Sequence, residues 1–247
     1  MASGAEGRRP WTMLAAARLL TLLALVWFAP GAARAFWLAL GRLAGLPTWP
    51  HLLVGFIAGL AVGRFALDKL PTLCIAEHEL THLIAGLPFL CRPTRLVVSR
   101  HGGVAGHRDT PLPWIGPLVD DFVTLAPYVL PTFSLLIALA APLAPLSAKF
   151  TVHLAIGLTL GYHLSTTAAE LWVNWTARRV SRADNGQPIR SDIAQVGFVL
   201  SLVYIPVMAL LLHGLTFALT ADGYAGVPAW GAEIVRTAGR FWLAYLR

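Results

Sequence analysis

Apolar runs of about 20 residues recur along this chain, and they limit its possible folds more than any other feature. The runs cover residues 11–29, 51–67, 118–141, 150–173 and 192–219. A helix of that length crosses a hydrocarbon core of about 30 Å. Because 57% of the residues are hydrophobic and only 13% are charged, we predict an all-α polytopic membrane protein with about five to six transmembrane helices.

The chain contains no linker long enough to separate independent domains. Residues 1–35 resemble an uncleaved signal anchor, since Arg8 and Arg9 precede the first apolar run. We expect residues 36–219 to form one membrane domain. Residues 220–247 mix aromatic and aliphatic residues with arginines, a pattern typical of an interfacial amphipathic helix.

The net charge of +7 comes from arginines clustered between apolar runs. No basic face with interleaved aromatic residues occurs, so we expect no nucleic-acid partner. The connectors 92–108 and 178–190 carry four arginines each, whereas connector 141–147 carries none. Positive connectors stay on the cytoplasmic side. The excess of arginine over lysine is typical of a GC-rich bacterial genome, so we predict a multi-pass protein of a bacterial inner membrane.

The N-terminus conflicts with this topology. Counting crossings back from connector 92–108 places Arg8 and Arg9 outside if every early run crosses the membrane. Either one early run is re-entrant or interfacial, or the charge rule fails there. Prolines in the later runs, such as Pro127 and Pro131, are expected to kink their spans without breaking them.

Residues 78–82 read His-Glu-Leu-Thr-His and lie in segment 71–86, which we predict to be a helix. On a helix, His78 and His82 are one turn apart on one face, the spacing that binds zinc. Glu79 between them is placed to act as general base on an attacking water. A chance pattern is the alternative.

The membrane setting argues against a chance pattern. Three ionisable groups within five residues are costly in lipid, which favours a partner such as a divalent metal ion. Cys74 lies one turn before His78, but two histidines and one oxygen complete a catalytic zinc site. A packed, unreactive thiol is therefore the favoured interpretation of Cys74.

Residues 94–107 form two β-prone stretches around Gly102 and Gly103, which predicts a short cytoplasmic β-hairpin after the 71–86 helix. An exposed strand edge can bind an extended substrate by strand addition, and a plain connector is the alternative. We expect His101 and His107 to face solvent rather than a metal.

An H-E-x-x-H helix in a membrane, a cytoplasmic hairpin and proline-containing spans together resemble the site-2 protease family of intramembrane zinc metalloproteases. The resemblance covers about residues 70–219 and is strongest to a compact bacterial branch. It implies a zinc endopeptidase that cleaves a membrane-spanning protein or peptide within the lipid bilayer. The family's third ligand is an aspartate, commonly in Leu-Asp-Gly, and this sequence has no Leu-Asp-Gly.

Three residues compete for the third ligand position. Asp192 follows Ser191 at the start of the last run and resembles a Ser-Asp motif of the compact branch, although either residue could instead cap that helix. Glu170 and His163 lie seven residues apart on one face of the preceding run. Glu170 would make a Glu-type membrane zinc peptidase. For both residues, orienting a ligand or substrate by hydrogen bonding is the favoured role.

Two other functions are compatible with parts of the pattern. A non-proteolytic scaffold could keep the fold, but the intact Glu79 argues against it. A transporter could use His163 and Glu170 as a proton relay, but no internal repeat supports one. The Asn174-Trp-Thr176 match to a glycosylation site is interpreted as accidental because its predicted position is cytoplasmic.

Overall fold

The computed structural model describes residues 11–100, 102–112, 115–176, 181–182, 188–189 and 191–246. It is mostly helical. The α-helices found in these residues are α1 (Trp11–Ala44), α2 (Trp49–Lys69), α3 (Pro71–Gly86), α4 (Gly116–Val129), α5 (Thr132–Ala140), α6 (Lys149–Thr176), α7 (Asp192–Val196), α8 (Phe198–Asp222) and α9 (Gly226–Tyr245).

Two short antiparallel strand pairs accompany the helices. The predicted hairpin is confirmed as β1 (Pro93–Ser99) and β2 (Gly102–His107). A second pair, β3 (Ser181–Arg182) and β4 (Pro188–Ile189), lies in the connector before α7. The topology prediction also used Arg8, Arg9, Arg178, Arg179 and Arg190, which lie outside the described residues, as does His101 of the hairpin prediction.

In the described part of the chain, three helical segments are long and apolar enough to cross a membrane. They are Met13–Ala44, Trp49–Lys69 and Phe198–Tyr245, and the bent pair of α4 with residues 132–143 would make a fourth. The structure thus agrees with a membrane protein. Helix α1 continues through Pro30 and across residue 35, because a proline is tolerated where neighbouring groups satisfy the freed backbone atoms.

Two runs that we expected to be continuous spans are broken. Between α4 and α5 the chain turns by 88°, so the expectation of a kink was wrong. Leu130 is extended, with φ −98° and ψ 105°, because Pro131 disfavours the α conformation in the residue before it. The second break separates α7 from α8 at Gly197, whose φ of 106° suits glycine alone.

Helices α2 and α6 pack backbone against backbone. Gly55 faces Leu154 and Gly63 faces Ser165, so the two helices run in the same direction. A Cβ on any of four glycines would lie 2.0 to 2.1 Å from a carbonyl oxygen of the facing helix. These are Gly55, Gly59, Gly157 and Gly161. Small residues at such contacts are typical of membrane helix pairs.

Helix α1 packs along α8 and α9. Phe36 and Phe217 join α1 to α8, with ring centroids 5.4 Å apart. The indole rings of Trp27 and Trp242 stack at 5.7 Å, so α9 lies alongside the apolar middle of α1. A helix thus forms within residues 220–247, and its interfacial position stays a prediction.

Candidate metal centre

The two histidines of α3 and the first residue of α7 converge on one point. The rings of His78 and His82 have centroids 4.9 Å apart. Asp192 Oδ2 lies 3.3 Å from His78 Nε2 and 3.9 Å from His82 Nε2. One ligand atom from each residue lies within 4.8 Å of the others, and no further group of three appears in the described residues. Two imidazoles and one carboxylate are a donor set that could hold a metal ion.

In both imidazoles, the ring nitrogen that faces away from Asp192 is Nδ1, and it lies within hydrogen-bond distance of an acceptor oxygen. His82 Nδ1 lies 2.7 Å from the carbonyl oxygen of Val123, which can only accept, so Nδ1 carries the proton. His78 Nδ1 lies 2.7 Å from Glu170 Oε2 and donates to that carboxylate. In the neutral form of each imidazole, Nε2 then carries a lone pair and faces Asp192, as in metal-binding histidines with fixed tautomers.

Asp192 does not serve as the helix cap. The hydroxyl of Ser191 accepts the backbone N–H of Ala194 at 3.4 Å and caps α7. The Asp192 carboxylate instead accepts a hydrogen bond from the Tyr128 hydroxyl at 3.0 Å. Asn174 donates to that hydroxyl at 2.9 Å. The residue that we predicted as the third ligand is thus free to coordinate and is oriented by α4 and α6.

The two rival candidates occupy different positions. Glu170 contacts the nitrogen of His78 that points away from Asp192, which favours an orienting role over direct ligation. His163 is buried on the same helix, but its ring lies beside His213, with centroids 5.7 Å apart, and its Nδ1 is 3.4 Å from the Thr167 hydroxyl. It is not part of the metal group.

Glu79 lies between the metal group and the hairpin. Its carboxylate accepts a hydrogen bond from the backbone of Ala105 in β2. A Cβ on Gly103 would lie 2.4 Å from Glu79 Cγ, so β2 approaches Glu79 only because residue 103 is glycine. Glu79 is also close enough to His78 and Asp192 for their charges to act on it. It therefore lies beside the candidate site without belonging to the group of three that could hold a metal ion.

Helix α1 ties together the elements that orient the ligands. Arg18 donates to both carboxylate oxygens of Asp121 on α4, at 3.0 and 2.7 Å. The same guanidinium donates to the carbonyl of Gln195 on α7 at 3.3 Å. Helix α4 carries Val123, which contacts His82, and Tyr128, which contacts Asp192. Arg18 therefore connects this helix to α7, which carries Asp192. The Asp121 side chain is only 6% exposed, which makes its pairing with Arg18 necessary.

Neither cysteine belongs to the metal group. Cys74 is buried, and its sulfur accepts the Tyr162 hydroxyl at 3.7 Å. Burial raises the pKa of the Cys91 thiol, so that thiol stays protonated. Both positions fit packed, unreactive thiols.

Sequence reasoning missed three groups around the site. Tyr128 and Asn174 are polar residues in or beside apolar runs, and that contrast is a signal that could have drawn attention to them. The Val123 carbonyl carries no sequence signal, because every residue has one. Only the fold brings this carbonyl to His82.

Together these contacts orient two imidazole nitrogens and one carboxylate toward one point, with a second carboxylate beside them. Such a set can bind a divalent metal ion and activate water. Comparison of the chain with protein-family models, curated proteins and solved structures gives no match. Functional assignment therefore depends on this geometry and on the sequence resemblance.

Proposed function

We propose that the protein is an intramembrane zinc metalloendopeptidase of the site-2 protease type that cleaves a membrane-spanning protein or peptide. The convergence of His78 Nε2, His82 Nε2 and Asp192 on one point carries the proposal. These three residues would hold the ion. When bound there, zinc would lower the pKa of a water molecule toward about 7 and polarise the scissile carbonyl.

The chain's own residues supply the rest of the chemistry. Glu79 accepts the proton of the attacking water and returns it to the leaving amine, the two halves of general acid–base catalysis. Glu170 and the Val123 carbonyl keep the two imidazoles in the tautomer that can ligate. Tyr128 fixes the carboxylate of Asp192.

The β-hairpin offers a place for the substrate. It packs over Glu79, and Ala105 of β2 hydrogen-bonds to the Glu79 carboxylate. In the described residues β1 and β2 form a two-stranded sheet, so each strand has a free edge to which an extended peptide could add. Strand addition there would bring an unwound substrate segment to the general base.

We propose five to six membrane crossings, with the metal centre toward the cytoplasmic end. In this proposal α1, α2, α6 and α8 cross, and α4 with α5 forms a broken fifth span. Helix α9, which we expected to be interfacial, would instead cross beside α1 as the sixth. Arg18 near the start of α1 contacts α4 and α7, and Glu170 near the end of α6 contacts His78. Helices α2 and α6 run in the same direction, which supports placing the end of α2 on that side as well.

This arrangement removes the conflict at the N-terminus. Helix α3 has 16 residues and would be the re-entrant or interfacial early run. With α3 left out of the count, the start of α1 lies on the same side as the hairpin. Arg8 and Arg9 then agree with the positive-inside rule, and a bacterial inner membrane remains the proposed location.

The test is the exchange Glu79→Gln, which keeps the shape of the side chain and removes its ability to accept a proton. Zinc content should stay at the wild-type level, because Glu79 is not a ligand. Cleavage of a model transmembrane substrate should fall by at least about 10²-fold, the lower range for general acid–base catalysis.

The control is Glu77→Gln, the same exchange on the same helix at a carboxylate outside the metal group. This variant should keep its zinc and its cleavage rate. Undiminished proteolysis in Glu79→Gln would sink the mechanism.

A further inference from the structure

A groove of about 520 Å³ lies beside the base of the hairpin, where residues 87–93 meet residues 108–111. It shares no residue with the metal group. Two of its apolar residues are open to the surroundings, since Leu87 is 51% and Leu90 is 63% exposed. Two arginines, Arg92 and Arg108, line it as well. The remaining lining residues are Cys91, Pro93, Asp109 and Pro111. The groove therefore combines exposed leucines with positive charge.

The two arginines lie opposite each other at the open end of the hairpin. The N–H of Arg108 donates to the carbonyl oxygen of Arg92 at 2.8 Å, next to the paired residues Pro93 and His107. Opposite residues of an antiparallel pair have Cβ atoms about 4.5–5.5 Å apart, and like charges at such positions are destabilising. An anion between the two guanidinium groups would offset this repulsion.

The protein does not neutralise this pair of charges. Both arginines are exposed, and neither forms an ion pair within the part of the chain that the structure describes. Asp109 lines the same groove, so two arginines against one aspartate leave a net charge of +1 in the lining. The groove is therefore suited to an anion.

Leu90 adopts a backbone conformation that is unfavourable for leucine. Its φ of 61° and ψ of 19° lie in the left-handed region. Two backbone hydrogen bonds hold the turn, from the N–H of Leu90 to the carbonyl of Leu87 at 3.0 Å and from the N–H of Cys91 to the carbonyl of Gly86 at 3.1 Å. Glycine would fit this position without strain. The turn instead presents an exposed apolar side chain, and strain of this kind favours a functional role.

We propose that the groove binds an anionic phospholipid of the cytoplasmic leaflet. The phosphodiester would accept hydrogen bonds from Arg92 and Arg108, and an acyl chain would lie on Leu87 and Leu90. A soluble anion would satisfy the arginines but leave both leucines in water. Basic pockets on the cytoplasmic side of membrane proteins bind anionic headgroups in this way. The site is separate from the proposed peptidase chemistry and requires the hairpin to lie at the cytoplasmic membrane surface.

The experiment uses the full chain in phosphatidylcholine nanodiscs that contain a small fraction of a photoreactive lipid. Two probes carry the same diazirine-labelled acyl chain, one on phosphatidylglycerol and one on phosphatidylcholine, whose trimethylammonium group offsets the phosphate charge. In the wild type, the phosphatidylglycerol probe should label residues 87–93 about 5- to 30-fold more strongly, the ratio for one or two arginines near an anionic headgroup. Unlabelled phosphatidylglycerol should compete with this labelling, and its soluble headgroup, glycerophosphoglycerol, should not.

Two double variants localise the effect. Arg92→Gln with Arg108→Gln removes both charges from the groove and should label equally with both probes. Arg95→Gln with Arg100→Gln removes the same charge from the same hairpin, outside the groove lining, and should keep the wild-type preference. Zinc content should be unchanged in both, because none of the four arginines belongs to the metal group. A failure of this site is thereby distinguished from a failure of the proposed metal centre.

Leu90→Gly tests the apolar part of the groove. The exchange relieves the left-handed backbone, so the unfolding temperature should not fall, while labelling by the phosphatidylglycerol probe should decrease. Wild-type labelling in this variant would contradict the contact between the acyl chain and Leu90.

Equal labelling by the two lipids in the wild type would overturn the proposal, and that comparison needs no variant to fold. Competition by glycerophosphoglycerol would overturn it too, since the groove would then be a site for a soluble phosphodiester.

Discussion

The interface between α2 and α6 is held together by opposite means to the candidate metal centre. The two helices meet through glycines whose backbones touch, with no room for a methyl group. The metal centre is assembled by side-chain hydrogen bonds between α3, α4, α6 and α7. Helix α6 belongs to both regions: its glycine half packs on α2, and its other half carries Glu170 and Asn174. Close packing at one end therefore fixes the position of polar groups at the other.

Substitutions in the two regions should therefore have different effects on stability and on metal affinity. Overpacking between helices costs folding free energy whatever the metal does. Loss of a hydrogen bond around the ligands changes metal affinity more than the fold, because the helices remain packed. Variants that affect stability and zinc binding separately would sharpen this contrast, and variants that affect both equally would break it.

The largest effect should come from Asp192→Asn, which keeps the side-chain shape and removes the charge of the proposed third ligand. Zinc affinity should fall by more than about 100-fold, beyond the range for residues that only hydrogen-bond to ligands. The unfolding temperature of the apo-protein should hardly change, because Ser191 still caps α7. Competition titration with a zinc chelator measures the affinity. Full zinc occupancy in this variant would move the third-ligand assignment to Glu170.

Gly59→Ala should produce the largest change at the helix contact. A Cβ at this position would lie 2.0 Å from the carbonyl oxygen of Leu158, so the free energy of unfolding should fall by about 1–3 kcal/mol. Gly41→Ala is the matched control, since no atom lies within 4 Å of its added Cβ. It should be stabilising by about 0.5–1 kcal/mol. Unfolding in detergent compares the two, and equal effects would contradict a backbone-to-backbone contact.

Glu170→Ala should have a smaller effect, and it should change zinc affinity without changing stability. His78 would lose the carboxylate that holds its Nδ1 proton, so zinc affinity should fall by about 10- to 100-fold. Val173→Ala, at an exposed position on the same helix, should bind zinc as the wild type does. The same chelator titration decides the question, and unchanged affinity in Glu170→Ala would remove its orienting role.

Tyr128→Phe should have the smallest effect of the four. It deletes one hydrogen bond to Asp192 and leaves the ring in place. A single bond of this kind contributes about 0.5–1.5 kcal/mol, which corresponds to roughly a 2- to 10-fold loss of zinc affinity. An affinity equal to that of the wild type would show that Tyr128 does not position the carboxylate.

Local patterns predicted the helices and the hairpin because their signals lie within a few residues. Pro71 and Gly86 marked both ends of α3, and Gly102 with Gly103 marked the turn between β1 and β2. The consequences of prolines were harder to predict. Pro30 left α1 intact while Pro131 ended α4, and the difference depends on neighbouring elements that the sequence does not display.

The candidate metal centre was predictable to the extent that its residues were close in sequence. His78 and His82 are fixed on one face by helical spacing alone. Asp192 was selected from three candidates, and the structure brings it to both imidazoles while Ser191 takes the capping role. Tyr128 and the Val123 carbonyl depend on how α4 packs across α3. Contacts of that kind require the fold.

The most direct test of the proposed centre is a crystal structure of the zinc-loaded protein with anomalous data at the zinc edge. We expect one anomalous peak about 2.0–2.2 Å from His78 Nε2, His82 Nε2 and a carboxylate oxygen of Asp192. Absence of a peak at these residues, or a peak coordinated by Glu170 in place of Asp192, would contradict the account.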